Sequence, residues 1–504
     1  PQYSYLLVSE IIQQLESTQP EDSNYLEKRA SLVSALKAIL NSNVSLIGIS
    51  VLEVLNALFT QLIQSLHDSG KSLVDTHSEE NGFHYFIHQG LVHSIGGLAS
   101  QTYYVNQLND ITSSLVSKLR VNSTDMVDGL SIKEYRRAAI RCLHCVAANS
   151  AKKPEKEDAD TTPVYNHSIG LDTLIPAAGL LLDTASETRT EFASMLTYYL
   201  EETSEDEIGL NPYPKHTLSQ QGDLNLANTL HLTLLNWIQL PNLEISDLLS
   251  IKKLLQAMTH RFGADETIRA VPLIFEIQSL AQQETIGSPC RQRAIAALVV
   301  EWLLIVADFY RVNSLIDYAQ ELKKERQGTG EYSAVFVQED FNTTELEALE
   351  PDNQNTVHRF VERATVVEML SKDGPLRDQD DPEGTELGNK LNTEWDASTM
   401  DEHNSTFRIR TSRNLSDLKA KLVTSWSSGK EPIVCEPEKK QTINVENLKE
   451  ALVGQMEVSG LDVMNPLSKK SDDTFKDMSS LLQSISSGNN DSSPSTLFNP
   501  PYKP

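Results

Sequence analysis

Two clusters in this chain combine residue types and spacings that could do chemistry. The first is Cys142-Leu143-His144-Cys145, two thiols and an imidazole within four positions. Such a set could contribute ligands to zinc, but a structural site needs a fourth donor, ordinarily from a second CxxC or HxxxH pair, and none stands at suitable spacing. A redox CxxC belongs at a helix N-terminus following a strand, whereas this one falls late in a helical pattern. Buried structural cysteines are therefore the expected reading. The second cluster is His84 and His88, four apart and on one helix face, with His93 nearby. Without the intervening glutamate of a metalloprotease motif this pattern predicts hydrogen-bonded or solvated histidines. A helical metal-dependent hydrolase using His84, His88, Cys142 and Cys145 is the enzyme reading these residues would support.

Other signatures of catalysis are missing from the sequence. There is no GxxxxGK[ST] cradle, no GxGxxG after a strand and no GxSxG elbow. Paired carboxylates carry no information in so acidic a chain. The sequence predicts a non-enzymatic protein with no catalytic residues, no cofactor and no metal.

What must position any site is a succession of amphipathic helices covering about two thirds of the chain. The clearest unit is 32–66. Leu32, Leu36, Ile39 and Leu40 form one apolar stripe; after Asn41-Ser42-Asn43 a second runs Ile47, Val51, Leu55, Leu58, Leu62, Leu66. Steps of three and four place each set on one helical face. Neither helix hides its stripe alone, so the pair must pack together and against a neighbouring pair. Residues 1–66 give three helices. Helices are expected at 83–100, at 105–119 and at 132–148, the last with Tyr135, Ala139, Leu143 and Val146 inward. Two further pairs are 171–182 with 191–200 and 224–238 with 245–258. Gly263 should cap the latter, Asp265 should start the next helix, and Pro272 should kink or restart it. Residues 291–327 read as one long helix with Ile295, Leu298, Trp302, Val306 and Phe309 inward. Polar or charged connectors are expected at 71–81, 152–162 and 201–222.

The chain has 504 residues, roughly two to four domains by length alone, a count that a repeat solenoid evades. Its net charge is −27, from 43 Lys+Arg against 70 Asp+Glu. That balance repels nucleic acid and anionic lipid at long range, so nucleic acid is not an expected partner. Only 4 Cys are present, which excludes a disulfide scaffold. No apolar run approaches the roughly 18 residues a membrane span requires. The start, Pro1-Gln2-Tyr3-Ser4-Tyr5, lacks a basic leader and enters a helical pattern at once, which reads as a fragment whose upstream repeats are missing.

Basic residues cluster in two places. Arg136, Arg137 and Arg141 lie along one helix, either as a solvated face or as a membrane-facing patch for lipid headgroups. Lys323, Lys324 and Arg326 end the long helix, where cations suit the dipole. Past Gly328 the periodicity fails. Residues 331–504 hold 31 acidic and 18 basic residues, a net of −13, with Ser, Thr, Asn, Asp, Gly and Pro dominant. That composition predicts a largely disordered acidic tail. Two islands interrupt it, near 415–426 and 444–453. The second carries Val445, Leu448 and Leu452 behind the candidate cap Asn444. It is either a partner-docking helix or a return helix packed on the chain's own solenoid.

Four segments in the same order resemble the Efr-three family, fungal members above all. They are 32–66 with its 45–55 core, 98–119, 261–275 and 445–452. The family comprises plasma-membrane anchors of the type III phosphatidylinositol 4-kinase complex. The resemblance implies an all-α HEAT/armadillo-like solenoid at 1–330 followed by a disordered acidic tail at 331–504. It implies a peripheral scaffold on the cytoplasmic face of the plasma membrane, with a cytoplasmic pool allowed. Such a scaffold recruits the kinase through a tetratricopeptide-type adaptor and supports phosphatidylinositol 4-phosphate synthesis. Family members contact inner-leaflet acidic lipids near their N-terminus, in a region this chain does not contain. Their C-terminal part is implicated in adaptor docking, which makes Val445, Leu448 and Leu452 the candidate partner-binding residues. The alternative is a cytosolic helical-repeat adaptor for another cargo, in trafficking or nuclear transport.

Overall fold

The computed structural model describes residues 4–21, 24–42, 50–69, 82–101, 107–120, 126–127, 129–150, 169–202, 221–283, 287–338, 340–349, 356–373, 376 and 384–395. All belong to one unit, Pro1–Asn414. The helices are α1 (Ser4–Ser17), α2 (Tyr25–Leu40), α3 (Val51–Ser69), α4 (Gly82–Gly97), α5 (Gln107–Lys118), α6 (Ile132–Ser150), α7 (Ser186–Glu202), α8 (Gln221–Ile238), α9 (Ile245–Gln282), α10 (Pro289–Tyr310), α11 (Asn313–Thr329), α12 (Leu346–Leu349), α13 (Arg363–Asp373) and α14 (Thr385–Leu391). Among the described residues the only β pairing is two isolated bridges, Val127 with Leu130 and Glu244 with Glu345.

The helices fall into two ranks. In one, α2 packs on α4, α4 on α6, α6 on α7, α7 on α9 and α9 on α10. In the other, α1 touches α3, α3 touches α5, α5 touches the 3₁₀ segment Leu171–Leu182, and that segment touches α8. Within each pair the ranks meet, as α1 on α2, α3 on α4, α5 on α6 and α8 on α9. This is the all-α helical-repeat solenoid that the stripes require. On α3, Val51, Leu55, Leu58, Leu62 and Leu66 are all buried. Leu36 and Leu40 of α2 are buried as well, but α2 packs on α4 and α1 rather than chiefly on α3, so the two stripes are covered by neighbouring helices more than by each other; Ile47 lies outside the described residues. Tyr135, Ala139, Leu143 and Val146 point inward on α6 as their spacing predicts.

Four local expectations are corrected. The 171–182 helix is a 3₁₀ run with Pro176 inside it, a residue with no N–H to donate. The 245–258 and 265 onward helices merge into α9, whose one non-helical residue is Gly263 at φ 56°, ψ −130°. The bend falls there, where the missing Cβ permits positive φ, and Pro272 lies in helical backbone. The 291–327 helix is two helices. Arg311 adopts left-handed φ 56°, ψ 40°, and Val312 N–H reaches back to the Ala307 carbonyl at 2.9 Å. That five-residue return is the closure by which helices stop, usually at glycine. An arginine there costs about 1–2 kcal/mol and gives no sequence signal.

The fourth correction concerns the boundary at 330. The packed unit continues to 395. Tyr332, Val335, Leu346, Val361, Val366, Leu370, Leu387 and Leu391 are buried. α13 packs on α11 and on α14, and α14 packs on α9. The expected disordered tail therefore loses its first third to the fold. Its islands at 415–426 and 444–453 lie outside the described residues.

Candidate functional surface

Two of the three arginines proposed for headgroup contact are committed to the interior. Arg136 is buried by the packing of α6 on α7. Its Nη1 donates to Asp183 Oδ2 at 2.5 Å, its Nε to the Leu119 carbonyl at 3.0 Å and its Nη2 to the Arg120 carbonyl at 2.8 Å. Arg137 is buried and donates to Glu191 Oε1 at 2.7 Å; Arg141 meets the same carboxylate at 3.5 Å. Arg136 and Arg137 thus face the interior and not an open basic patch, while Arg141 keeps 26% of its side chain exposed beside Glu191. A buried guanidinium paired to a carboxylate reaches a lipid phosphate only by breaking that packing.

The same chemistry recurs along the stack. Arg189 on α7 donates to the Asp183 carbonyl at 2.7 Å, and through Nε and Nη2 to both oxygens of Asp247 on α9, at 2.8 and 2.5 Å. Arg291 on α10 donates to the carbonyls of Ile238 and Leu240 at the end of α8, at 2.6 and 2.5 Å. Arg326 on α11 donates to the Ala296 carbonyl of α10 at 2.9 Å. Buried arginines thus bond neighbouring helices, at ends where carbonyls lack helical partners for Arg291 and at mid-helix for Arg326. On α11 the basic triplet expected to sit on a solvated end divides: Arg326 is buried, and Lys323 joins Lys252 and Tyr332 around Glu301, each at 2.6 Å. Burial works to raise the Glu301 carboxyl. The three donors outweigh it and hold the group below the usual carboxylate range.

The cysteine and histidine clusters do not assemble a reactive centre. Cys142 is fully buried, and burial followed by the neighbouring Cys145 pushes its thiol well above the usual range, opposite to what a nucleophile needs. Cys145 is half-buried, so close to Gly96 that a Cβ added there would stand 2.7 Å from its own, and neither Cys142 nor Cys145 forms a disulfide. His144 packs against Tyr198 at a tilt, with centroids 4.7 Å apart and an interplanar angle of 56°. His88 is buried with Nδ1 3.1 Å from Ser65 Oγ, and its pKa falls to about 3, through burial first and the Arg141 charge second. His84 is half-buried at the rim of a surface hollow lined also by Tyr25, Asp68 and Phe83. Among the described residues no group of three or more His, Cys, Asp or Glu side chains could hold a metal ion.

Sequence reasoning missed the best-organised polar groove of the unit. Residues 356–362 run extended over α9, α10 and α11, and side chains from those helices and from Glu331 just past α11 bond their backbone. Gln278 brackets Val361, donating to its carbonyl at 2.9 Å and accepting from its N–H at 3.0 Å. Gln292 accepts from Val357 N–H at 3.1 Å, and Glu331 from His358 N–H at 3.1 Å. Arg326 donates twice to the Arg359 carbonyl, at 2.7 and 3.2 Å, and Tyr318 accepts from Glu362 N–H at 3.1 Å. A glutamine or tyrosine on a helix face gives no sequence signal of such use.

Val445, Leu448 and Leu452 lie outside the described residues. No helix among the described residues is long and apolar enough to cross a membrane.

Two ranks of helices stacked pair on pair, with their polar interior spent on holding the stack together, define an armadillo-type repeat scaffold. Residues 1–155 match the family model described as EFR3, armadillo repeat. Over those residues the chain is similar to the Efr-three family of armadillo-repeat scaffolds. That match takes in the 32–66 and 98–119 segments singled out in the sequence; 261–275 and 445–452 lie beyond it. No curated protein and no solved structure matches the chain.

Proposed function

We propose that this chain is a non-enzymatic peripheral scaffold of the plasma membrane. It holds a type III phosphatidylinositol 4-kinase complex through a tetratricopeptide-type adaptor, and so supports phosphatidylinositol 4-phosphate synthesis. The observation that carries this reading is the match of residues 1–155 to the armadillo repeat of the Efr-three family, on a chain that folds as a repeat stack. The chemistry of the unit agrees with a scaffold, since its buried arginines and carboxylates bond one helix to the next. The short apolar stripe Val445, Leu448, Leu452 is the proposed adaptor contact, in the amphipathic-helix mode.

The test is a pull-down of the adaptor subunit with the full chain and with a Val445→Asp/Leu448→Asp/Leu452→Asp variant. Capture by the full chain and loss in the variant supports the function and the contact. Equal capture by both keeps the scaffold role and removes these residues from it. Capture by neither rejects this chain as the adaptor's anchor and favours the alternative, a helical-repeat adaptor for another cargo.

A further inference from the structure

We propose that the groove formed by α9, α10 and α11 is a docking site for an extended peptide, and that residues 357–362 of the chain occupy it as an exchangeable strap. The contacts that hold the strap read its backbone, not its sequence. Gln278, Gln292, Tyr318, Arg326 and Glu331 bond the main-chain groups of Val357, His358, Arg359, Val361 and Glu362. Groups placed to bond a peptide backbone accept any segment of the same extended shape, and side-chain pockets then set specificity. Two strap side chains are buried, Val357 and Val361, four positions apart. Phe360 is half-buried, with the Arg326 guanidinium 6.0 Å from its ring centre. His358 and Arg359 point outward, with side chains 72% and 50% exposed, and meet only Glu331 and Glu325 at the groove's rim. The ligand class is therefore an extended peptide with aliphatic residues four apart and an aromatic residue just before the second.

The groove's own chemistry explains why exchange, rather than an empty groove, is the expected event. Arg326 is buried, and without the Arg359 carbonyl two of its donor contacts would face nothing. Gln278 would lose both of its partners at once. Leaving buried polar groups unpaired is costly, so the strap gives way only to a segment that replaces its carbonyls and amides. Its grip is modest in apolar terms, because two aliphatic side chains anchor it while whole helices anchor the groove. Segments held in that way open locally, well before global unfolding.

The experiment uses the full chain and, as probe, a fluorescein-labelled peptide of residues 354–364. Fluorescence anisotropy would compare the wild type with a Val357→Asp/Val361→Asp variant. The variant should bind the probe at least tenfold more tightly than the wild type does, and adding Gln278→Ala should reverse that gain. A control peptide carrying the same two Asp substitutions should not bind. A cooperatively folded variant that ignores the probe would overturn the proposal. Amide exchange in the wild type decides the matter independently of how the variant folds. The Val357, His358, Val361 and Glu362 amides should exchange at least a hundredfold faster than those of Leu298 and Trp302 in α10. Exchange at the same rate would make the strap an integral part of the core and sink the idea.

Discussion

Arg189 and Asp247 are fifty-eight positions apart and meet as a fully buried two-point ion pair, with both side chains at 0% exposure. The pair does more than cancel charge. Asp247 also accepts from Trp237 Nε1 at 3.1 Å and from the Glu244 backbone N–H at 2.8 Å, so one carboxylate fastens α7, the end of α8 and the first turn of α9. Arg189 adds the Asp183 and Asn242 carbonyls, and Asp183 in turn holds Arg136. Polar bonding thus runs continuously from α6 to α9 through a stack whose apolar contacts join neighbours only.

Removing one member of that pair strands the other in the interior. Arg189→Leu should cost about 3–5 kcal/mol, in line with broken buried ion pairs. Asp247→Asn keeps the shape and part of the hydrogen bonding, and should cost less. Urea unfolding of both variants checks the order; equal, small losses would mean that the pair is dispensable.

The α6 arginines should behave as structural residues. An Arg136→Ala/Arg137→Ala chain should bind vesicles containing acidic lipid as the parent does, and melt several degrees lower. Vesicle flotation and a thermal melt on the same samples give both readouts. Reduced flotation at unchanged melting temperature would reinstate them as a lipid contact.

Acid should weaken the fold through His88. Its folded pKa of about 3 lies below the ordinary histidine value, so between the two the unfolded chain takes up a proton that the folded chain refuses. Stability from this group is complete above pH 6.5 and is lost as pH falls toward 3, by about 1.4 kcal/mol per unit. Melting followed from pH 7 to pH 5 should show a smaller acid loss in His88→Leu than in the parent. An identical slope would assign the acid sensitivity to other groups.

Truncation should distinguish two boundaries. A chain ending at residue 395 should melt like the parent. One ending at 330 should melt several degrees lower, because it loses Tyr332 from Glu301, the backbone carbonyl of residue 359 from Arg326, and the cover supplied by Val366 and Leu370. A tail deletion meant to probe partner binding therefore belongs beyond 395, or loss of binding and loss of packing become the same result.

Bending at Gly263 needs a backbone that other residues avoid. Gly263→Ala should cost about 1–3 kcal/mol, the penalty of a strained positive φ. Denaturant midpoints check it, and an unchanged midpoint would show that α9 straightens at no cost.

The sequence by itself determined the fold class and the helices whose apolar faces repeat at steps of three and four. The α3 stripe and the inward residues of α6 follow from periodicity alone, because each helix must bury its own face whatever its neighbour is. Gly263 was legible as a break, since glycine is the residue that positive φ selects. Arg311 was not, because its left-handed turn is imposed by the packing of α10 on α11. Tertiary structure alone decided the fate of the polar residues. Arg136, Arg137 and Arg326 sit in helical sequence like any solvated cation, and only the arrival of Asp183, Glu191 and the Ala296 and Arg359 carbonyls makes them interior. The groove over α9, α10 and α11 is the extreme case. Its members stand as much as 53 positions apart, from Gln278 to Glu331, and chain folding alone brings them to one backbone segment.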